Sequence, residues 1–296
     1  MKSGLTISTA GMALVFAFCS QASATGLLGS TAETFAILGG GAVTNSGATT
    51  VVGNVGSSPT NSVTGFESAT ITEGVLTSTP VAAQAQGDAL AAYNFLSAQT
   101  PTQVLTGTDL GTLTLTPGVY MFATSAQLTG TLTLNALGEN NAVFVFEIGS
   151  TLTTANSSDV NVINSNSTDG IYWQIGSSAT LGDSSIMAGN ILANTSITLD
   201  PAAQIDCGRA LAGIVATSGA VTMANANGVA SDGSGSCAGG YSGGYQSVPG
   251  GTFELIGSGS PTGVPEPSSL AVVAVGLLGL GFSRRKWLSR IGGLAG

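Results

Sequence analysis

The centre of the chain repeats itself at intervals that drift. The segment "FEIGSTLT" at 146–153 matches "WQIGSSAT" at 173–180, so Phe146 falls on Trp173 at an offset of 27. Matching segments at offsets of 24, 18 and 24 begin at 119, 196 and 220. Unequal repeats of this length, rich in Val, Ile and Thr, are typical of a β-solenoid with irregular coils. The repeats therefore predict a mostly β chain built of stacked coils.

Alignment of the repeats places one threonine at the same position of five coils. These threonines are Thr129, Thr153, Thr180, Thr198 and Thr222. Side chains alternate across a strand, so the apolar residue before each threonine would point inward and the threonine outward. The flanking outward positions add Thr131, Thr151, Ser178 and Ser196. We predict a flat, hydroxyl-bearing face, although threonine suits exposed strand positions in any β protein.

The segment at 79–101 departs from the β pattern. Thr79 is a candidate N-cap, and Pro80 suits the first helical position. Apolar residues then recur at three- and four-residue spacing, at Ala82, Ala85, Ala89, Tyr93 and Leu96. This stripe predicts one helix near 80–98 that lies along the solenoid and covers an apolar face.

The N-terminus has the pattern of a secretory signal peptide. Lys2 gives a basic start, "GMALVFAF" at 11–18 is a short apolar core, and "ASA" at 22–24 fits a small-x-small cleavage site. We predict that residues 1–24 are removed on export. The apolar run is too short for a spanning helix.

The C-terminus has three parts in order, a Pro-Glu-Pro tripeptide, a short apolar segment and a basic cluster, namely Pro265, Glu266 and Pro267, then 270–282, then Arg284, Arg285 and Lys286. Together they resemble the PEP-CTERM sorting signal. The resemblance implies transient insertion in the inner membrane and removal of the segment by an exosortase. A permanent tail anchor is the alternative, since a basic cluster stays on the cytoplasmic side of a membrane.

Charge and composition exclude several classes of function. Between the two signals Arg209 is the only basic residue against 15 Asp and Glu, a formal charge of −14, so nucleic acid is not an expected partner. The chain has no His, and its acids are scattered rather than paired. General acid–base catalysis needs converging groups with shifted pKa values. We therefore predict no enzymatic activity, no cofactor and no metal site.

Two cysteines, Cys207 and Cys237, remain after removal of the signal peptide. Both would reach an oxidising compartment, where we expect a disulfide between them. Two free thiols are the alternative. Two cysteines without histidine do not make a metal site.

Five stretches of the chain carry a further resemblance, namely "ETFAILGGGAVTN", "GNVGSSP", "VAAQAQGDALAAYN", "LTPGVY" and "WQIGSSATLG". They resemble the ice-binding-like domain family of bacteria, fungi and algae, and the resemblance covers about residues 26–228. It implies a right-handed, discontinuous β-solenoid of triangular section with one long α-helix packed alongside. The first coils, where Val43-Thr44 and Val63-Thr64 keep the inward–outward order, would sit beside later ones.

The same resemblance implies adsorption to an ice crystal surface and inhibition of ice growth or recrystallisation. Characterised members present a Thr-Ala/Gly-x-Thr/Asn motif on one flat face, and this chain holds only the near match "TANS" at 154–157. The nine aligned Thr and Ser residues are therefore the expected ice-facing set. The alternative is a structural or adhesive protein of the cell surface or extracellular matrix, with extracellular polysaccharide as a partner.

The expected domain organisation has four parts. A signal peptide occupies 1–24 and an ice-binding-like solenoid 25–228. A Gly- and Ser-rich spacer occupies 229–263, and the sorting signal with its short transmembrane helix and basic tail occupies 264–296. The mature protein would be secreted or held at the cell surface.

Overall fold

Short strands and sharp corners wind the chain into a solenoid whose coils contribute to three parallel sheets. The computed structural model describes residues 26–77, 79–231, 240–248 and 252–256. The predicted signal peptide, the sorting segment and Cys237 lie outside the described residues, so what was expected of these three stays a prediction. Within the described ranges, no helix is long and apolar enough to cross a membrane.

The helices and strands are named in chain order. The helices are α1 (Gly29–Ala32) and α2 (Pro80–Leu96). The strands of the first half are β1 (Phe35–Gly39), β2 (Ala42–Ser46), β3 (Thr50–Val52), β4 (Asn54–Ser57), β5 (Val63–Thr64), β6 (Thr70–Ile71), β7 (Val75–Thr77), β8 (Gln103–Val104), β9 (Thr114–Leu115), β10 (Gly118–Phe122), β11 (Ala126–Leu128), β12 (Thr131–Asn135) and β13 (Val143–Ile148). The strands of the second half are β14 (Leu152–Thr154), β15 (Asp159–Ile163), β16 (Gly170–Ile175), β17 (Ala179–Leu181), β18 (Ile186–Ala188), β19 (Asn190–Ala193), β20 (Ile197–Leu199), β21 (Gln204–Asp206), β22 (Ala210–Ala212), β23 (Ala220–Ala224), β24 (Gly228–Ala230), β25 (Tyr245–Val248) and β26 (Thr252–Leu255).

Each of the three sheets runs the length of the solenoid. Sheet 1 has the order β7-β4-β1-β22-β19-β16-β13-β10-β8. Sheet 2 has the order β11-β14-β17-β20-β23-β2-β5, and sheet 3 the order β6-β3-β24-β21-β18-β15-β12-β9. In all three, strands from the first coils lie beside strands from the last ones. The coils are therefore stacked out of chain order, as the family resemblance implies.

The register confirms three of the four repeat offsets and corrects one. Phe146 pairs with Trp173, Ala179 with Ile197, and Ile197 with Val221, as the offsets of 27, 18 and 24 predict. The earliest offset is wrong, because Tyr120 of β10 pairs with Phe146 of β13, which makes the offset 26 instead of 24.

Aromatic packing accounts for the corrected offset. The rings of Tyr120 and Phe146 lie 5.5 Å apart at 24°. Phe146 in turn stacks on Trp173 at 3.9 Å and 9°. Matching Phe122 to Phe146, as the sequence letters suggest, would remove Tyr120 from this stack. The observed ring contacts inside the core therefore favour the offset of 26.

The interior of the solenoid is mostly apolar. Trp173 is completely buried, and its Nε1 donates to the Ala188 carbonyl at 2.9 Å. Leu, Ile and Val side chains from all three sheets complete this core. Alternate residues are buried in most strands of sheet 2, and β13, β16 and β19 of sheet 1 are buried on both sides, so the outward rows are fixed on a rigid interior.

The predicted helix is confirmed as α2. The Oγ1 of Thr79 accepts a hydrogen bond from the Ala82 N–H at 3.1 Å, which caps its first turn. Its apolar stripe packs on the outward side of sheet 1, where Val145, Tyr172 and Leu192 are buried. One side of the solenoid is therefore closed to large ligands.

Part of the predicted 229–263 spacer belongs to the fold. Strand β24 completes a coil, and Tyr241 and Tyr245 are buried at 5% and 2% exposure. The Nδ2 of Asn190 donates to the carbonyls of Gly240 and Tyr241 at 3.2 and 2.9 Å. The Gly- and Ser-rich composition predicted a spacer, but the rings of these two tyrosines have enough apolar area to anchor the segment to the fold.

Arg209 forms hydrogen bonds with the residue after α1, with β19 of sheet 1 and with the segment 240–248. It is the only basic residue among those described and is 3% exposed. Its guanidinium donates to the Glu33 carbonyl, the Asn190 Oδ1 and the Ser242 Oγ. Arg209 therefore has a structural role, and the accessible surface of the described region is without positive side-chain charge.

Candidate functional site

The outward sides of the three sheets differ in what they offer a ligand. Sheet 1 is covered by α2, as described above. The outward side of sheet 3 carries Asp159, Asp206 and the protruding Ile186, which is 36% exposed. Sheet 2 presents short, mostly uncharged side chains. We call the outward side of sheet 2 the Thr face.

A row of six threonines runs along the centre of the Thr face. Thr153 pairs with Thr180, Thr180 with Thr198, and Thr198 with Thr222. The row continues through two threonines of the first coils, Thr44 and Thr64. Because neighbouring strands lie about 4.8 Å apart, the row is about 24 Å long.

Buried neighbours fix the outward direction of the row. The residues before the threonines are apolar, and Leu152, Ile197 and Val221 have no exposed surface. Since side chains alternate along a strand, burying these residues turns every threonine toward solvent. Among the described residues, none of the six hydroxyls has a hydrogen-bond partner in the protein. Their donors and acceptors are available to water.

A second row, rich in serine, flanks the threonines at the start of each strand. It contains Ser125, Thr151, Ser178, Ser196, Ala220, Ala42 and Ser62. The Thr151 Oγ1 donates to the Ser125 Oγ at 2.9 Å, and the Ser196 Oγ accepts from the Ala220 N–H at 3.2 Å. These hydroxyls hold neighbouring coils together, so they are fixed in position as well as polar.

A third row, at the end of each strand, is made mostly of very small residues. It contains Thr129, Ala155, Gly182, Asp200, Ala224 and Ser46. A Cβ at Gly182 would lie 2.7 Å from the Thr154 carbonyl oxygen, so no larger residue fits there without movement. Asp200 is the one ionisable residue in the three rows. Apart from Asp200, the side chains of the three rows are short, uncharged and similar in length.

The structure corrects two of the nine predicted site residues. Gln127, not Thr129, pairs with Thr153, so Thr129 lies in the third row. Thr131 begins β12 and pairs with Asp159 in sheet 3, on another side of the solenoid. The incorrect earliest offset moved both residues by two positions. The corner at Gly130, with φ 85°, then turns the chain from sheet 2 into sheet 3.

The other seven predicted residues lie together on the Thr face. They are Thr153, Thr180, Thr198 and Thr222 in the central row and Thr151, Ser178 and Ser196 in the flanking row. Sequence reasoning did not assign Thr44 and Thr64 to this face. The triplet "AVT" at 42–44 recurs at 220–222, and this identity could have placed the first coil beside the last.

One end of the Thr face is closed by polar residues. Gln127 occupies the position next to Thr153, and Asp109 forms a bridge with Gln127. Desolvation opposes ionisation of the Asp109 carboxyl. The N–H groups of Gly111 and Thr129 donate to its Oδ1 at 2.7 and 2.9 Å, so its pKa lies below the usual value. Asp109 therefore caps, as an anion, the end of the stack formed by the coil of β11.

The metal-ligating side chains in the described part of the chain do not form clusters. Across those ranges, no three His, Cys, Asp or Glu residues come together as a metal-binding group. The Thr face offers hydroxyls, methyls and small apolar groups in a regular array. Such an array can order water or bind a repetitive surface.

Two family models match the chain. The ice-binding-like model matches residues 37–229, and the PEP-CTERM protein-sorting motif matches residues 263–286. An ice-binding protein of Nostoc sp. (strain HG1) is 48% identical over 267 residues, which cover 90% of this chain and 89% of the relative. Ice-binding protein 1 of Shewanella frigidimarina is 36% identical over 48% of this chain and 17% of its own length.

Solved structures of similar proteins share the fold. The ice-binding protein of the Antarctic ascomycete Antarctomyces psychrotrophicus has a TM-score of 0.65 and 34% identity, covering 71% of this chain and all of that chain. An ice-binding protein from an Antarctic biological consortium has a TM-score of 0.64 and 34% identity, covering 76% and 96%.

Proposed function

Because this chain belongs to the ice-binding-like family, we propose that it is an exported protein that adsorbs to ice through the Thr face. The family model covers residues 37–229, which hold every strand of the Thr face. The observation that carries the proposal is the row of six threonines on a rigid parallel sheet. Adsorption inhibits ice growth or recrystallisation.

The chemistry of the Thr face suits an ordered water surface. Each threonine offers one hydroxyl and one methyl at a spacing that the sheet fixes at about 4.8 Å. The hydroxyls hydrogen-bond water, and the methyls exclude it, so the first water layer is held in a regular arrangement. A layer that merges with a crystal face anchors the protein there. Growth between anchored molecules curves the ice front and depresses its freezing point.

Rigidity supports the proposal as much as composition does. The inward residues of sheet 2 are buried, and the flanking serine row bonds one coil to the next. Little conformational entropy is then lost when the Thr face meets a crystal. Loops with the same residues would have to be ordered first.

The experiment is ice-affinity uptake of the exported protein. A solution is slowly frozen on a cooled probe, and protein in the ice is compared with protein left in the liquid. We expect enrichment in the ice together with faceted single crystals in a nanolitre osmometer. Bovine serum albumin at the same concentration serves as the non-adsorbing control. The proposal would be rejected if both proteins were excluded from the ice to the same extent and the ice crystals showed no facets.

Export and sorting form a second part of the proposal. Cleavage after residue 24 releases the protein, and an exosortase removes the segment after Pro265-Glu266-Pro267 while its apolar part is in the inner membrane. The PEP-CTERM match at 263–286 supports this. Intact mass of the protein recovered from the cell surface tests it. Retention of Arg284, Arg285 and Lys286 would favour a permanent anchor.

We also propose a disulfide between Cys207 and Cys237. Export to an oxidising compartment supports it, since thiols persist mainly where the medium is reducing. Cys207 lies at a corner and packs against the core. Intact mass with and without reduction, after alkylation of free thiols, decides between one disulfide and two thiols.

A structural or adhesive role at the cell surface is the second candidate function. The sorting motif favours it, because it directs the protein to the envelope rather than to free solution. Binding to isolated extracellular polysaccharide, measured by co-sedimentation, tests this role separately. The relatives compared above are named as ice-binding proteins, and we propose no enzymatic activity.

A further inference from the structure

Asp200 is the one charged side chain within the three rows of the Thr face. It follows Leu199 in β20 and lies in the third row between Gly182 and Ala224. It is on the same side of the strand as Thr198, and it is half-buried. A formal charge therefore stands near the centre of an array that is otherwise neutral.

The carboxylate of Asp200 has no structural function in the described part of the chain. Its backbone N–H donates to the Leu181 carbonyl, and its carbonyl accepts from the Ala203 N–H. No hydrogen bond to its carboxylate oxygens is formed there. The backbone hydrogen bonds therefore make the corner, and a neutral side chain can replace the carboxylate without loss of a hydrogen bond.

Other carboxylates of the same fold are used differently. The Asp88 Oδ2 accepts from the N–H groups of Thr31 and Ala32, and the Asp169 Oδ1 accepts from the Ala142 N–H. The Asp109 Oδ1 accepts from the N–H groups of Gly111 and Thr129 in the same manner. Asp200 differs from these three because no N–H group in the described part of the chain donates to its carboxylate.

A carboxylate opposes adsorption to a crystal of water. It binds its own hydration shell strongly, and taking a charge out of liquid water is costly unless a partner compensates. Among the described residues, no cationic side chain lies on the accessible surface to provide one. The hydration shell of Asp200 therefore interrupts the ordered layer over Thr198 and its neighbours.

We propose that Asp200 limits the affinity of the Thr face for ice. This inference rests on the proposed function, since it assigns one residue a negative effect on that same adsorption. Neutralising Asp200 removes the one charged side chain from the three rows of the Thr face. The effect is on adsorption strength and not on the fold.

The test compares Asp200→Asn with Asp206→Asn in the exported protein. Both variants remove one negative charge by an almost isosteric change, but Asp206 is exposed on sheet 3. The measurement is the protein concentration that halves the rate of ice recrystallisation. We expect Asp200→Asn to lower this concentration about fivefold, the change that ~1 kcal/mol of avoided desolvation produces. Asp206→Asn should leave it unchanged.

The possible outcomes distinguish failure of the Asp200 inference from failure of the proposed function. If the wild type inhibits recrystallisation and Asp200→Asn does so equally well or less well, this inference fails and the proposed function survives. If both variants improve by the same factor, net charge and not the position on the Thr face is responsible, and the inference also fails. If wild type and variants are folded by circular dichroism yet inactive, the proposed function fails as well.

Discussion

At the scale of single residues, Glu147 is the least expected side chain in the fold. It lies in β13 with only 9% of its surface exposed, and among the described residues its Oε1 has no hydrogen-bond partner. Desolvation raises the pKa of its carboxyl, against a smaller lowering effect of the Gln99 N–H. Met121 and Gln174 flank it in the sheet, and the Tyr245 hydroxyl lies near it.

A raised pKa makes Glu147 a source of pH dependence. Above the usual value of 4.5 the unfolded chain loses this proton while the folded chain keeps it, so stability falls as pH rises through the raised pKa. Glu147→Gln cannot titrate and removes this effect. We expect the variant to match the wild type in acid and to exceed its melting temperature increasingly toward neutral pH. A constant difference at all pH values would contradict this account.

At the scale of elements, α2 carries two positions whose substitutions should act in opposite directions. The Thr79 Oγ1 caps the first turn, so Thr79→Ala should lower the free energy of unfolding by about 1 kcal/mol. Gly87 lies mid-helix, and a Cβ there meets no atom within 4 Å. Gly87→Ala should therefore raise the free energy of unfolding by about 0.5–1 kcal/mol. Urea denaturation of both variants measures these changes. If both substitutions changed the free energy of unfolding in the same direction, the roles given to Thr79 and Gly87 would be wrong.

The central row of sheet 2 ends at Gln127, where the next coil has Thr153. Gln127 is exposed, and its side chain is longer and more flexible than a threonine, so it stands above the row. Gln127→Thr should extend the row to seven threonines and increase ice growth inhibition. The matched control is Asn161→Thr, at an exposed position of β15 in sheet 3. If Gln127→Thr inhibits ice growth no better than this control, the coil that contains β11 does not contact ice.

At the scale of the whole molecule, repeat spacing and local pattern predicted most of the architecture. The offsets of 27, 18 and 24 hold because apolar residues and Thr occupy equivalent strand positions in those coils. The helix near 80–98 is found at Pro80–Leu96, since Thr79, Pro80 and the apolar stripe act locally. Sequence patterns that depend on neighbours along the chain were therefore sufficient for these elements.

Contacts between distant parts of the chain were harder to predict. The offset between β10 and β13 depends on rings stacked across coils, which no local alignment of letters contains. The burial of Tyr241 and Tyr245 depends on a surface made by other elements. The place of Thr44 and Thr64 depends on stacking out of chain order. Each of these incorrect or missing predictions concerns contacts between residues that are far apart in the chain.

The central claim is that one side of the solenoid, the Thr face, meets ice. Thr180→Tyr and Thr131→Tyr place the same bulky ring on different sides, since Thr180 is in sheet 2 and Thr131 in sheet 3. The measurement is ice-affinity uptake of both variants beside the wild type, with circular dichroism to verify folding. We expect Thr180→Tyr to lose most of its uptake and Thr131→Tyr to retain it. Equal uptake by the two variants, or loss only in Thr131→Tyr, would contradict the claim.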